Sequence, residues 1–207
     1  MTGLSERAKE LIPQARIVSF ENWPRLSTEA KDRLQTADDN SQYLTDEELS
    51  LVAQTDLSKD LSKGGQTDAT QIDTIAVVKQ LRDQAANIVD EARADVLTAF
   101  PDILKPGGGL YPPMRAEACW RDFWQFLRCI TYGIAGQKIQ YTSSTGLAAM
   151  ELLYEELQVP LPAMVAGLKG IKSASLSRFD TKTGEAIAPY FDHLITQLSA
   201  FVKRPTS

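Results

Sequence analysis

The strongest constraint in this sequence is the spacing of apolar residues between Ile75 and Phe100. Ile75, Val78, Leu81, Ala85, Ile88, Val89, Ala92, Val96 and Ala99 recur at steps of mostly three and four, the period of a helix that buries one stripe. The pattern predicts one long amphipathic helix, stopped by Pro101 and followed by a Pro106-Gly107-Gly108-Gly109 loop. Pro112-Pro113 suits a helical first turn, and the next helical pattern runs from Met114 to about Ile134 and closes at Gly136. Three more follow at Leu147–Leu157, Ala163–Leu176 and Glu185–Val202, divided by Pro160 and Pro162 and by a turn at Asp180–Gly184. No segment sustains the period-two alternation of a strand. The sequence therefore predicts an all-α fold without a heptad repeat.

Upstream of Ile75 the signals are weaker. Residues 1–40 are polar, with short helical patches at Ser5–Leu11 and Thr28–Leu34, interrupted by Pro13 and Pro24 and ended by Asp38-Asp39. They read as an N-terminal extension, partly helical or disordered, preceding a domain over residues 41–203. A helix start at Thr45 is explicit: Thr45 and Glu48 form a capping box, and Leu44 and Leu49 stand at the staple positions. A polar insert at about 56–70 repeats Leu-Ser-Lys twice and contains Gly64-Gly65, the composition of a linker.

Composition narrows the function. The net charge of −5 argues against general nucleic-acid binding, which needs a basic face. A lone histidine, His193, makes a His-rich metal site or a Ser–His–Asp triad hard to assemble, so most enzyme classes are disfavoured. Two cysteines in 207 residues do not make a disulfide framework, which predicts a reducing compartment. No apolar run reaches the roughly 20 residues of a membrane span, and the N-terminus lacks a signal-peptide pattern.

The richest stretch is Arg115 to Arg128. On a helix, Arg115, Cys119, Asp122 and Phe126 fall at i, i+4, i+7 and i+11, one continuous face carrying a cation, a thiol, a carboxylate and an aromatic ring. Arg121 lies off that stripe but is long enough to reach round to a flat ligand. Two readings stay open from periodicity alone: a ligand-holding stripe, or a core helix whose Cys119 is a small buried hydrophobe. Cys129 lies ten residues further on, about 15 Å along the axis, too far for a disulfide with Cys119, and reads as a packing residue. His193, between Asp192 and Leu194, reads as structural.

A resemblance bears on that choice. Tyr111, Cys119-Trp120-Arg121-Asp122, Phe126-Leu127-Arg128 and Thr131-Tyr132-Gly133-Ile134-Ala135-Gly136 resemble the chromophore region of the phycobiliprotein family. The likeness extends to Pro101-Asp102-Ile103-Leu104-Lys105-Pro106-Gly107-Gly108, to Tyr43-Leu44-Thr45-Asp46-Glu47-Glu48-Leu49, and to Val159-Pro160-Leu161-Pro162-Ala163 with Gly167 to Lys172. It covers roughly residues 38–199. Departures surround the motif: Trp120 where Leu is usual, Trp124-Gln125-Phe126 in place of an acidic-Tyr-Tyr run, and Gln137 where Asp is usual.

The resemblance implies a globin-like helical bundle with an N-terminal helical arm that pairs subunits, and one covalently bound linear tetrapyrrole of the phycocyanobilin type. By position, Cys119 matches the thioether anchor and Asp122 the acceptor for the central pyrrole N–H groups. Arg121 and Arg115 match propionate-binding arginines, whose planar fork suits a carboxylate. Trp120, Phe123, Phe126 and Tyr132 are expected to pack and stiffen the pigment. Arg128 matches an arginine that pairs with an N-terminal acid across the subunit contact. Asp38 and Asp39 are the available acids, although a solvated acidic run accounts for them equally well. No second chromophore cysteine follows Pro162.

The implied function is light harvesting and excitation transfer at the phycobilisome, on the cytoplasmic side of the thylakoid membrane, with phycobiliprotein-type subunits or linker proteins as partners. A divergent interaction or regulatory protein with optional bilin is the alternative. A bilin carrier or attachment helper is a weaker third. No enzymatic activity is expected.

Overall fold

A computed structural model describes residues 4–61 and 72–201, with side chains for 4–54 and 72–201. Among the described residues the chain is all α, its β content limited to one isolated antiparallel bridge between Val18 and Thr142. The helices are α1 (Glu6–Leu11), α2 (Thr28–Asp39), α3 (Asp46–Leu61), α4 (Thr74–Asp83), α5 (Ala85–Ala99), α6 (Pro113–Ala135), α7 (Ser144–Glu156), α8 (Leu161–Leu176) and α9 (Thr181–Ser199).

Helix starts follow local chemistry. Thr45 N–H donates to Glu48 Oε2 at 2.7 Å and Glu48 N–H donates back to Thr45 Oγ1 at 3.3 Å, the expected capping box. The staple residues Leu44 and Leu49 are both buried. Ser143 caps α7 and Asp180 caps α9 by accepting from the N–H of Gly146 and Thr183. Those caps start both helices three to four residues earlier than the apolar pattern predicts, because a cap is read from polar residues that carry no periodicity.

Three sequence expectations change. The predicted helix over 75–100 is two: the backbone turns at Gln84, so that α4 packs on α3 and α6 while α5 packs mainly on α8. The first part of the predicted polar insert is helical, since α3 continues to Leu61 with no glycine or proline to stop it. The remainder, including Gly64-Gly65, lies outside the described residues, as does Val202 at the end of the last predicted helix.

The largest change concerns residues 4–40, the described part of the expected extension. They do not form a marginal extension: Trp23, Ala30 and Leu34 are buried in the same core as α6, and α1 packs on α7. The period-3.6 stripe that marks a core helix is absent from residues 12–27. Ile17, Val18, Phe20, Trp23 and Leu26 are buried there from irregular chain, whose contacts are set by the surface it covers.

Helix α6 is the axis of the molecule. Every residue from Phe126 to Ala135 is buried. This stretch, apolar but for Arg128 and Thr131, is enclosed all round by α4, α5, α8, α9 and the N-terminal segment. The N-terminal half of α6 is half-open, and there Arg115, Cys119, Trp120, Arg121, Asp122 and Phe123 stand, whereas Phe126 and Tyr132 fall in the enclosed half.

Candidate functional site

Pro113 opens α6 and sets the register in which Cys119 and Asp122 follow one another along one face. Cys119 is 5% exposed. Burial pushes its thiol up to about 12, with the Asp122 charge adding to the shift and Arg115 opposing it. Asp122 is partly buried, and burial raises its carboxyl to about 6 against the pull of a Tyr154 hydrogen bond and the Arg121 charge. Tyr154, on α7, donates from its hydroxyl to Asp122 Oδ2 at 3.0 Å. Phe201 meets the Tyr154 ring edge-on with centroids 6.2 Å apart.

Arg115 holds the loops beside this face. Its Nε donates to the Gly109 carbonyl at 3.2 Å and its Nη2 to the Gln158 carbonyl at 2.8 Å. The two tethered segments border an open cleft of about 510 Å³, lined by Phe100, Ile103, Gly109, Pro160 and Pro162 among others. Arg115, Cys119 and Asp122 themselves do not line that cleft.

The predicted aromatic residues separate into different environments. Trp120 and Phe123 face α5 and α8: their rings lie 5.5 Å apart, the Arg93 guanidinium sits 5.4 Å above the Trp120 ring, and Phe123 fills the space a Cβ on Gly167 would take. The Trp120 Nε1–H is buried with no hydrogen-bond acceptor among the described residues. Phe126 is core. Tyr132 is not brought to Cys119. It stands thirteen residues along α6, about 20 Å at 1.5 Å per residue, and its hydroxyl donates to the Gln42 carbonyl and accepts from Arg128 Nη1. Arg121 is exposed.

Arg128 and Asp38 form a second, buried cluster. Arg128 Nη1 lies 2.8 Å from Asp38 Oδ1, both side chains are about 5% exposed, and Arg128 Nε donates to Gln125 Oε1 at 2.7 Å. Of the two acids expected opposite Arg128, Asp38 is the one that meets it. The sequence also carries no mark of Tyr154 or Arg93 as neighbours of the site, since each reaches α6 only through the packing of another helix.

The structure thus places a buried thiol and a hydrogen-bonded carboxylate on one half-open helical face, with an arginine alongside. The sequence model of the family described as Phycobilisome protein matches residues 32–198. The chain belongs to the phycobiliprotein family. Its fold is therefore the globin-like phycobiliprotein bundle, and the members of this family are light-harvesting pigment proteins rather than enzymes.

Similar phycobiliproteins bear this out. The allophycocyanin subunit alpha-B of a Nostoc species is 34% identical over 130 residues, covering 63% of this chain and 81% of that one. The allophycocyanin subunit alpha-B of a Synechocystis species is 30% identical over 163 residues, covering 79% and 94%. The allophycocyanin alpha-B chain of Cyanophora paradoxa is 27% identical over 167 residues, covering 81% and 96%.

Proposed function

We propose that this phycobiliprotein carries one phycocyanobilin-type linear tetrapyrrole on Cys119 and serves light harvesting at the phycobilisome. The observation that carries the reading is the Cys119–Asp122 pair on one face of α6, with Tyr154 opposite and the loops tied by Arg115 alongside. When bound, the conjugated pigment supplies visible absorption and an excited state that rigid surroundings prolong.

The residues present fit such a group chemically. Cys119 supplies a thioether sulfur. The Asp122 carboxylate offers a charge-assisted acceptor to pyrrole N–H groups, and its lone pairs are not exhausted by the one Tyr154 hydroxyl. The orphan Trp120 Nε1–H is a buried donor open to a ligand acceptor, because a buried donor without a partner costs free energy. Arg121 is exposed and free to turn toward a propionate, whereas Arg115 positions the Gly109 and Gln158 carbonyls and has its remaining guanidinium N–H for one. Trp120, Phe123 and Phe126 supply rigid walls. Tyr132 acts on the Arg128 cluster instead, stiffening α6 at a distance.

The protein acts in this reading as a peripheral component on the cytoplasmic side of the thylakoid membrane, alongside other phycobiliprotein subunits and linker proteins. Among the described residues no helix is long and apolar enough to cross a membrane. A second reading, an interaction or regulatory member of the family with optional or no pigment, is favoured by one observation: the Cys119 side chain is buried, which limits access to its thiol and disfavours the thiolate. A protonated thiol is a poor nucleophile.

Co-expression with bilin biosynthesis, followed by zinc-enhanced fluorescence on a denaturing gel, separates the two. A coloured band that survives Cys129→Ala and disappears in Cys119→Ala is expected. An uncoloured band in the parent protein rejects the pigment reading in favour of the second.

A further inference from the structure

The end of α9 reaches the candidate site. Leu198 is fully buried, and the chain turns just beyond it. Ala200 N–H donates to the Thr196 and Gln197 carbonyls and Phe201 N–H to the Leu198 carbonyl, each at 3.2 Å. These bonds tie Phe201 to a helix end anchored in the core. They bring its half-buried ring edge-on to Tyr154, with 82° between the planes and 6.2 Å between the centroids. Edge-to-face pairs at this separation are attractive and fix the relative setting of the two rings.

Tyr154 itself is 6% exposed, and its hydroxyl donates to Asp122 Oδ2. Burial and the Asp122 charge hold the phenol well above its usual range, so it stays a donor wherever Asp122 titrates. The place of that hydroxyl follows from the torsions of the tyrosine side chain. A carboxylate oriented by one hydroxyl is therefore held only as firmly as the ring that carries it. The titratable and charged groups acting around Asp122 are Cys119 and Arg121 on α6 and Tyr154 on α7, with Arg115 acting on Cys119. Phe201 adds no charge to this set, and its contact with the set is the packing against Tyr154.

We propose that Phe201 is a positioning residue of the site: its ring holds Tyr154 so that the hydroxyl stays on Asp122 Oδ2. The C-terminal end of α9 thereby sets the orientation of the carboxylate that receives the pigment N–H groups. That last role rests on the pigment reading, whereas the relay from Phe201 through Tyr154 to Asp122 does not, and it is tested without pigment.

The full-length apo-protein, labelled with ¹³C at the tyrosine ζ carbon, is titrated by NMR across the Asp122 transition. The Tyr154 signal, assigned by its loss in Tyr154→Phe, is expected to step near pH 6 as the carboxyl ionises. Phe201→Ala is expected to cut the amplitude of that step at least about twofold, because a loosened hydroxyl is poorly aligned on the carboxylate. Phe201→Tyr keeps the ring and is expected to restore the step. A full step in Phe201→Ala overturns the proposal, as does a loss that Phe201→Tyr does not repair. The absence of any step in the parent also overturns it, because Tyr154 is then not bonded to Asp122. If circular dichroism shows Phe201→Ala unfolded, Phe201→Leu, which keeps apolar bulk without the ring, is read in its place. On the pigment-loaded protein Phe201→Ala is expected to keep the coloured band on a denaturing gel and to broaden the visible absorption. Colour with an unchanged absorption band overturns the influence on the pigment. A colourless parent rejects the pigment reading alone, and the apo titration then decides the relay.

Discussion

The Tyr154 hydroxyl donates to Asp122 Oδ2 at 3.0 Å, joining α7 to α6 across 32 residues of sequence. Through this bond the one carboxylate of the candidate site is oriented before any ligand arrives. It also eases, without cancelling, the burial that raises the Asp122 carboxyl to about 6. The site thus stores a partly buried charge that the unliganded protein holds at a cost, as a site prepared for a cationic or N–H-rich partner would.

That cost is measurable. With a folded value of about 6 against an ordinary 3.8, Asp122 binds its proton more tightly folded than unfolded. Its contribution is most favourable below pH 4 and is lost as pH rises through 6. Asp122→Asn keeps an acceptor for Tyr154 and removes the charge, so the apo variant is expected to exceed the parent in stability at pH 8, by up to about 3 kcal/mol. Urea unfolding at pH 5 and pH 8 checks this, and a difference that does not shrink at pH 5 refutes it.

Both thiols are held at about 12, Cys119 by burial together with Asp122 and Cys129 by burial chiefly. Thiol titration of the native apo-protein at pH 8 is expected to be very slow, and both cysteines are expected to react in guanidinium chloride. After pigment attachment only one thiol should remain titratable under denaturing conditions. Two remaining thiols on a coloured protein would exclude a cysteine anchor.

Arg128→Ala breaks the buried pair and leaves Asp38 with only the half-exposed Arg16, 3.7 Å away, as counter-charge; breaking such a pair typically costs about 3–5 kcal/mol, and Arg16 puts the expected loss toward the lower end. The double variant Asp38→Ala/Arg128→Ala should recover part of that loss, since no lone charge remains. Urea midpoints for the four proteins of the cycle give the coupling directly, and simple additivity would show that the pair is not formed in solution.

Gly136→Ala places a methyl group where the Trp23 ring now lies. Overpacking of this kind costs about 1–3 kcal/mol. If the N-terminal segment is displaced to relieve it, the buried Trp23 becomes exposed and tryptophan emission shifts to the red. An unshifted spectrum together with unchanged stability would mean the ring does not occupy that notch.

The chain's own pattern determined the helices that face the core. Apolar spacing marked α4 to α9, proline and glycine marked their ends, and the Thr45 capping box marked the start of α3, because each of these signals acts within a few residues of chain. The stripe of Arg115, Cys119, Asp122 and Phe126 was legible for the same reason, being a property of one helix. Tertiary structure alone decided the rest. The turn at Gln84 exists because two halves of one amphipathic pattern find different partners. Tyr154 and Arg93 reach the site from other helices, and Tyr132 is drawn away from it by Gln42 and Arg128. Residues 12–27, between the two short helical patches, carry no periodic sign of burial, and the segment is seated by the notches at Gly136 and Gly146 and by the charge on Arg128. Contacts between residues distant in sequence are set by complementary shape and charge, which a one-dimensional pattern does not carry.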